Sequence, residues 1–261
     1  MSARLNPSIQ ISKDSSVRYL LGIADLCLIH AQRLGEWSGH APVLEEDISL
    51  TNVALDLIGQ TRALYSHIAK LEHAEHDEDQ LAFLRDERDY LNPTLAELPK
   101  GDFAHTCLRN LSVSTLLSLL WDGLQKSNDV EVAAIAGKAI KESLYHQQHA
   151  ADWCVRLGDG TEDSARRMSL ALNSLWPYIP ELFETTSEDL AARASGLGPA
   201  WADVEESWRT EVDQVLKEAH LVAPPAVPFR SHGRRGRHSE HMGYLLAEMQ
   251  YLQRTFPQGA W

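Results

Sequence analysis

Apolar residues recur every three or four positions along four long stretches of the chain, and each stretch reads as an amphipathic helix. In the first, Leu20, Ala24, Cys27, Leu28, Ala31 and Leu34 form one stripe. Ser15 and Ser16 can cap its start, and Gly35 or Gly39 ends it ahead of Pro42. The second, over residues 47–70, carries Leu50, Val53, Ala54, Leu57, Thr61, Leu64 and Ile68. The third, over 103–125, is rich in Leu and is capped by Asp102; Ser127, Asn128 and Asp129 break it. The fourth, over 130–157, has Val132, Ile135, Ala136, Ala139, Ile140, His146, Ala150, Trp153 and Leu157 as its inner face, and Gly158-Asp159-Gly160 ends it.

A shorter helical piece is expected over 81–92, bounded by Pro93 and by Pro99-Lys100-Gly101. Two more helices follow at 164–184 and 200–218, then a stiff linker with Pro224, Pro225 and Pro228, then a final helix at 240–254. No stretch alternates with the period of a strand. The pattern predicts an all-α fold, an antiparallel four-helix bundle with additional C-terminal helices. A single domain over 1–261 is expected, with a loose N-terminus at 1–14, the core bundle at 15–157 and a helical extension at 164–261.

Candidate chemistry concentrates on the fourth helix. Glu142 and His146 are four residues apart, and His146 and His149 three, so all three share a side. A di-iron carboxylate bundle needs a Glu on each of two helices and a Glu-x-x-His pair on each of the other two. None of the twelve histidines has a Glu three residues before it. The related pattern on the second helix, Asp56-Leu57-Ile58-Gly59, has Gly in place of His, and the third helix has no carboxylate over 108–120. The first helix offers Asp25 and, at its end, Glu36. Glu36, Asp56, Glu142 and His146 are therefore candidates for a degenerate metal site. One reading has Asp56, Glu142 and His146 buried and bonded to one another; the other is a single-metal or ligand site with altered ligands.

Composition adds exclusions. A formal net charge of −13 over 261 residues argues against nucleic acid or an anionic membrane as partner. Against that background Arg230, Arg234, Arg235 and Arg237, with His232, His238 and His241, form a local basic cluster. It reads either as a partner or phosphate contact or as a loop folded onto the chain's own acidic body. The segment 72–79, with three acidic residues beyond Glu72 and Glu75 and two histidines, reads as a solvated helix end or an adventitious metal binder. Cys27, Cys107 and Cys154 are widely spaced within apolar patterns and read as buried thiols. Trp37, Trp153, Trp176, Trp201 and Trp208 read as core or interface anchors. The opening 1–6 is not a hydrophobic leader, and the longest apolar run, 116–121, is too short to span a bilayer, so a cytoplasmic location is expected. No nucleophile elbow, P-loop or dinucleotide fingerprint is present.

Several ordered motifs carry a family resemblance. Arg33-Leu34-Gly35-Glu36-Trp37-Ser38-Gly39-His40-Ala41-Pro42 with Leu44-Glu45 is similar to the opening signature of the structural (C) subunits of ring 1,2-phenylacetyl-CoA epoxidases. So are Ala54-Leu55-Asp56-Leu57-Ile58-Gly59-Gln60, Phe83-Leu84-Arg85-Asp86-Glu87-Arg88, and Ala139-Ile140-Lys141-Glu142 with Tyr145-His146. His238-Ser239-Glu240-His241, the run Leu246-Ala247-Glu248-Met249-Gln250-Tyr251-Leu252-Gln253-Arg254 and the terminal Trp261 complete the resemblance. It implies a ferritin-like bundle without catalytic residues or a cofactor of its own. It also implies a homologous catalytic (A) subunit that holds the di-iron centre and forms an A–C core. A small B subunit and a flavin and iron–sulfur reductase complete a monooxygenase of phenylacetate catabolism. Two alternatives stand beside it: a self-sufficient ferritin-like metalloenzyme with altered ligands, and a homo-oligomeric helical scaffold.

Overall fold

Asp14, ahead of the two serines, starts the first helix: its carboxylate accepts from the backbone N–H of Ser16 (2.8 Å) and Val17 (3.2 Å). The structure is a computed structural model that describes residues 9–72, 76–256 and 259. Helix α1 is Ser15–Gly35 and α2 is Leu44–Leu71. The start of α2 lies ahead of the expected 47, with Glu45, Glu46 and Asp47 in the first turn, where the helix dipole favours negative charge. Residues 9–14, expected to be loose, lie against the body, with Ser12 N–H donating to Glu72 (2.6 Å). Residues 1–8, His73, Glu75 and Trp261 lie outside the described residues.

The crossover 72–102 is broken into short elements: α3, Glu78–Phe83, a 3-10 turn, Glu87–Asp89, and α4, Thr94–Glu97. The continuous helical piece expected over 81–92 does not form. Tertiary partners take its backbone instead: Asp25 accepts from Leu91 N–H (2.7 Å), and the Arg85 carbonyl accepts from Gln250 (3.0 Å) and Arg254 (2.8 Å). Helix α5, Phe103–Leu124, is capped by Asp102, and α6, Val130–Gly158, by Asp129.

Trp37, just past the end of α1, donates to Thr106 near the start of α5 (2.9 Å), while Tyr19 and Leu124 both abut Gly198. α1 and α5 are therefore antiparallel, and α2 and α5 run the same way. One long crossover joins the two helical hairpins, which is the ferritin-like arrangement. The buried stripe of α6 is small: Val132, Ala136, Ala139, Ser143, His146, Ala150, Cys154 and Gly158. It lets α5 approach closely. Ile135, Ile140, Trp153 and Leu157, expected on the inner face, are only partly buried at its flanks. The three cysteines are buried and free.

The C-terminal part is α7 (Glu162–Leu175), α8 (Ile179–Leu182), α9 (Ser187–Ser195), α10 (Glu205–Glu218) and α11 (Glu240–Thr255). The helix expected over 164–184 stops at Leu175, because Pro177 and Pro180 supply no N–H to continue it. Helix α9 occupies a stretch where none was expected. Thr186 and Asp189 form its capping box and Gly196, at φ +76°, its left-handed end. Trp201 and Trp208 are fully buried, and Trp208 donates to the Ser112 carbonyl (2.9 Å), which fastens α10 to α5. Among the described residues no helix is long and apolar enough to cross a membrane.

Candidate functional site

Helix α6 lies antiparallel to α2, and polar side chains meet along the seam. His146 Nε2 donates to Asp56 (3.0 Å). His149 Nε2 donates to Glu46 (3.0 Å) and lies 3.1 Å from Ser49 Oγ. Gln60 donates to Glu142 (3.0 Å), and at the far end His67 donates to Asp129 (2.7 Å). The Cys27 thiol of α1 reaches Gln60 from beneath (3.6 Å). Burial pulls the His146 imidazole below its ordinary value, and the Asp56 carboxylate offsets this only in part.

The four degenerate-site candidates do not converge. Asp56 and His146 pair. Glu142 bonds Gln60 and, at 3.7 Å, the exposed Lys138. Glu36 is at the end of α1, bonded to Arg33. The Asp56 side chain is 40% exposed, and Gly59 is exposed, so the Asp56-x-x-Gly59 pattern lies on the outer edge of the seam rather than in the bundle interior. In the interior, His30 of α1 donates through Nε2 to Asn110 of α5 (2.9 Å), and burial lowers its pKa to about 3. Asp25 is taken by Arg85 (2.5 Å). Among the described residues no group of three or more His, Cys, Asp or Glu side chains could hold a metal ion. Ligation by four carboxylates and two histidines needs donors from all four helices at one level. These residues, spent pairwise at different levels, do not fit a di-iron centre.

The arginine cluster divides. Arg234 is buried: its guanidinium grips Asp189 at 2.9 and 3.0 Å and stacks 3.9 Å over Trp201. Its backbone N–H donates to Glu181 (2.9 Å). Arg235 pairs with Glu184 (2.6 Å), Arg230 donates to the carbonyls of Val227 and Phe229, and Arg237 is exposed. These arginine contacts stay within the C-terminal part and tie the segment to α8 and α9; the link to the crossover is Gly233 N–H, which donates to Thr94 (3.2 Å). His238 adds a second clasp, donating through Nδ1 to Glu97 (2.6 Å) and through Nε2 to the Tyr90 carbonyl (2.9 Å). Between them, Gly236 sits at φ +71°, and a Cβ there would fall 2.3 Å from the Arg88 carbonyl. Gly236→Ala is expected to cost roughly 1–3 kcal/mol of stability, read from chemical denaturation, because both strain and collision oppose it.

Among the histidine-rich residues 72–79, His76 pairs with Glu72 (3.0 Å). Sequence reasoning found the α6 side of the seam but missed Glu46, Gln60 and Glu97. By sequence Gln60 is an ordinary helix-surface residue, Glu46 precedes the expected second helix and Glu97 lies in a proline-bounded connection; only the register between elements gives each its partner.

A family model described as "Phenylacetic acid catabolic protein" matches residues 4–261. The chain is 44% identical over 243 residues to a protein of Escherichia coli (strain K12) that is named as the C subunit of 1,2-phenylacetyl-CoA epoxidase; the match covers 93% of this chain and 98% of that protein. The chain belongs to the phenylacetic acid catabolic protein family.

Proposed function

We propose that this chain is the non-catalytic structural subunit of a multicomponent phenylacetyl-CoA ring 1,2-epoxidase in aerobic phenylacetate catabolism. It supports a homologous di-iron catalytic subunit in an A–C core, alongside a small B subunit and a flavin and iron–sulfur reductase, in the cytoplasm. Neither nucleic acid nor membrane is a partner. The observation that carries the reading is the pairwise use of the bundle's polar residues. Among the described residues, His146 with Asp56, His149 with Glu46 and His30 with Asn110 leave no converging donor set for an oxygen-activating metal. The name of the Escherichia coli relative supports the same assignment.

Metal analysis and oxygen consumption test it. Purified alone and supplied with ferrous iron and reductant, the chain is expected to retain no stoichiometric iron and to consume no oxygen with phenylacetyl-CoA. Adding the catalytic subunit and reductase is expected to give turnover that falls when this chain is omitted. About two irons per chain, or turnover by the chain alone, overturns the reading in favour of the self-sufficient metalloenzyme.

A further inference from the structure

Helix α2 is apolar on two sides. Leu50, Val53, Leu57 and Leu64 face the core, yet Leu44, Ile48 and Leu55 stand 72, 53 and 59% exposed along the opposite side. Across the seam, Tyr145 of α6 is 58% exposed and stacks on His149. Large apolar side chains gathered on one exposed helix face mark a surface that another chain covers. Together with Ile58, these side chains leave on the order of 500 Å² open, taking about 200 Å² for each full side chain. That is most of the ~800 Å² one partner contributes to a standard interface, and polar neighbours at the rim supply the rest.

The stripe runs into a groove of about 240 Å³ lined by Gly59, Gln60, Ala63, Ala134, Lys138 and Ala139. Gly59 is mid-helix, and a Cβ there would meet nothing within 4 Å. Glycine weakens a helix relative to alanine, and no described residue packs closely enough to require it at this position. Open space above a helix-weakening residue, beside an apolar ridge, is a hole for a knob from outside.

The rim is acidic at the start of α2, with Glu45 and Asp47, while beyond Gly59 it carries Lys141 and an Arg62 already paired with Glu78 (3.1 Å). An incoming helix pair matches this face when its basic residues meet Glu45 and Asp47 and an acidic residue meets Lys141. A second copy of this chain would bring two bodies of formal charge −13 together, which opposes self-association.

We propose that the exposed face of α2 and α6, from Leu44 to the Gly59 groove with Tyr145 beside it, docks an apolar helix pair of a different, less acidic subunit. A bulky side chain of that subunit fills the groove over Gly59. The inference rests on the reading of this chain as an epoxidase subunit, and names the surface that reading leaves open.

Two variants test it by co-expression with the catalytic subunit, followed by size exclusion. Gly59→Leu fills the groove and is expected to keep or raise the thermal midpoint of the isolated chain while reducing co-elution at least tenfold. Leu55→Glu with Tyr145→Glu is expected to give the same loss with unchanged folding. If the wild-type chain co-elutes and both variants co-elute undiminished, the docking surface lies elsewhere and only this inference falls. If the wild-type chain itself fails to co-elute, the reading of it as a partner subunit falls first. A wild-type dimer that forms without the catalytic subunit and becomes monomeric on Gly59→Leu overturns the proposed occupant in favour of a second copy.

Discussion

Asp25→Ala is expected to lower the free energy of unfolding by about 3–5 kcal/mol, the usual cost of removing one partner of a buried ion pair. Both side chains of the Asp25–Arg85 pair are fully buried. Asp25 accepts from Tyr65 Oη (2.5 Å), from Arg85 Nη1 (3.0 Å) and Nη2 (2.5 Å), and from Leu91 N–H (2.7 Å). Burial alone would push the Arg85 pKa down, but the Asp25 charge and neighbouring tyrosines reverse this and leave it raised. The guanidinium sits 4.0 Å over the Tyr90 ring and donates to the carbonyls of Leu81 (2.6 Å) and Asp89 (3.0 Å). Without Asp25 a buried cation keeps only neutral acceptors, and two further donors lose theirs. Typical domains have only about 5–15 kcal/mol in total, so the loss is a large fraction of the fold's stability. Urea denaturation at pH 7 reads it.

The combined replacement Asp25→Leu with Arg85→Met is expected to recover much of that loss, because it removes both desolvated charges together. Hydrogen exchange gives a second readout. α11 is held to the Arg85 carbonyl through Gln250 and Arg254, so its amides are expected to exchange faster in Asp25→Ala. A loss below about 1 kcal/mol would mean that water reaches Arg85 in the variant and that the pair carries little.

What the sequence made legible follows from the range of each signal. The four long helices show as stripes of period 3.6, a local signal, and they appear with small shifts at their ends. The first cap is Asp14 rather than Ser15 or Ser16, an adjacent residue of the same capping chemistry. The side of α6 that carries Glu142, His146 and His149 is also local. Their partners are not: Asp56, Gln60 and Glu46 depend on the register of α2 against α6, which no periodicity fixes. Helix α9 escapes a stripe-based reading although Thr186, Asp189 and Gly196 are its start and stop signals. Its nine residues hold only Leu190 and small alanines as apolar positions, too few to make a stripe. The arginine cluster takes the second of its two readings, a loop folded onto the chain's own acidic body, but composition does not tell which arginine is buried: Arg234 turns inward to an aspartate 45 residues away in sequence. Contacts such as Asp25–Arg85 and Glu97–His238, separated by 60 and 141 residues, leave no mark on either local sequence.

The second of these contacts makes stability depend on pH. Both nitrogens of the His238 ring face oxygen acceptors, Glu97 at 2.6 Å and the Tyr90 carbonyl at 2.9 Å, so the doubly protonated ring satisfies both. Burial works against that charge. The hydrogen bond and charge of Glu97 outweigh it and leave the His238 pKa raised above its ordinary 6.5. A pKa raised on folding stabilises the folded state fully below 6.5, and the contribution disappears as pH rises through the folded value. His238→Gln is therefore expected to cost roughly 1.5–3 kcal/mol at pH 6, as for a charge-assisted hydrogen bond, and less at each higher pH. Urea denaturation of both proteins from pH 5.5 to 9 checks this; a gap that widens as pH rises would reverse the assignment. Glu97→Gln isolates the cause. It removes the carboxylate while keeping an acceptor for Ser239 N–H, now 2.5 Å from Glu97. With burial then the dominant influence, the His238 titration, followed by the NMR shift of its ring protons, is expected to move from above 6.5 to below it. A titration unmoved by Glu97→Gln would mean that the Tyr90 carbonyl, rather than Glu97, holds the proton.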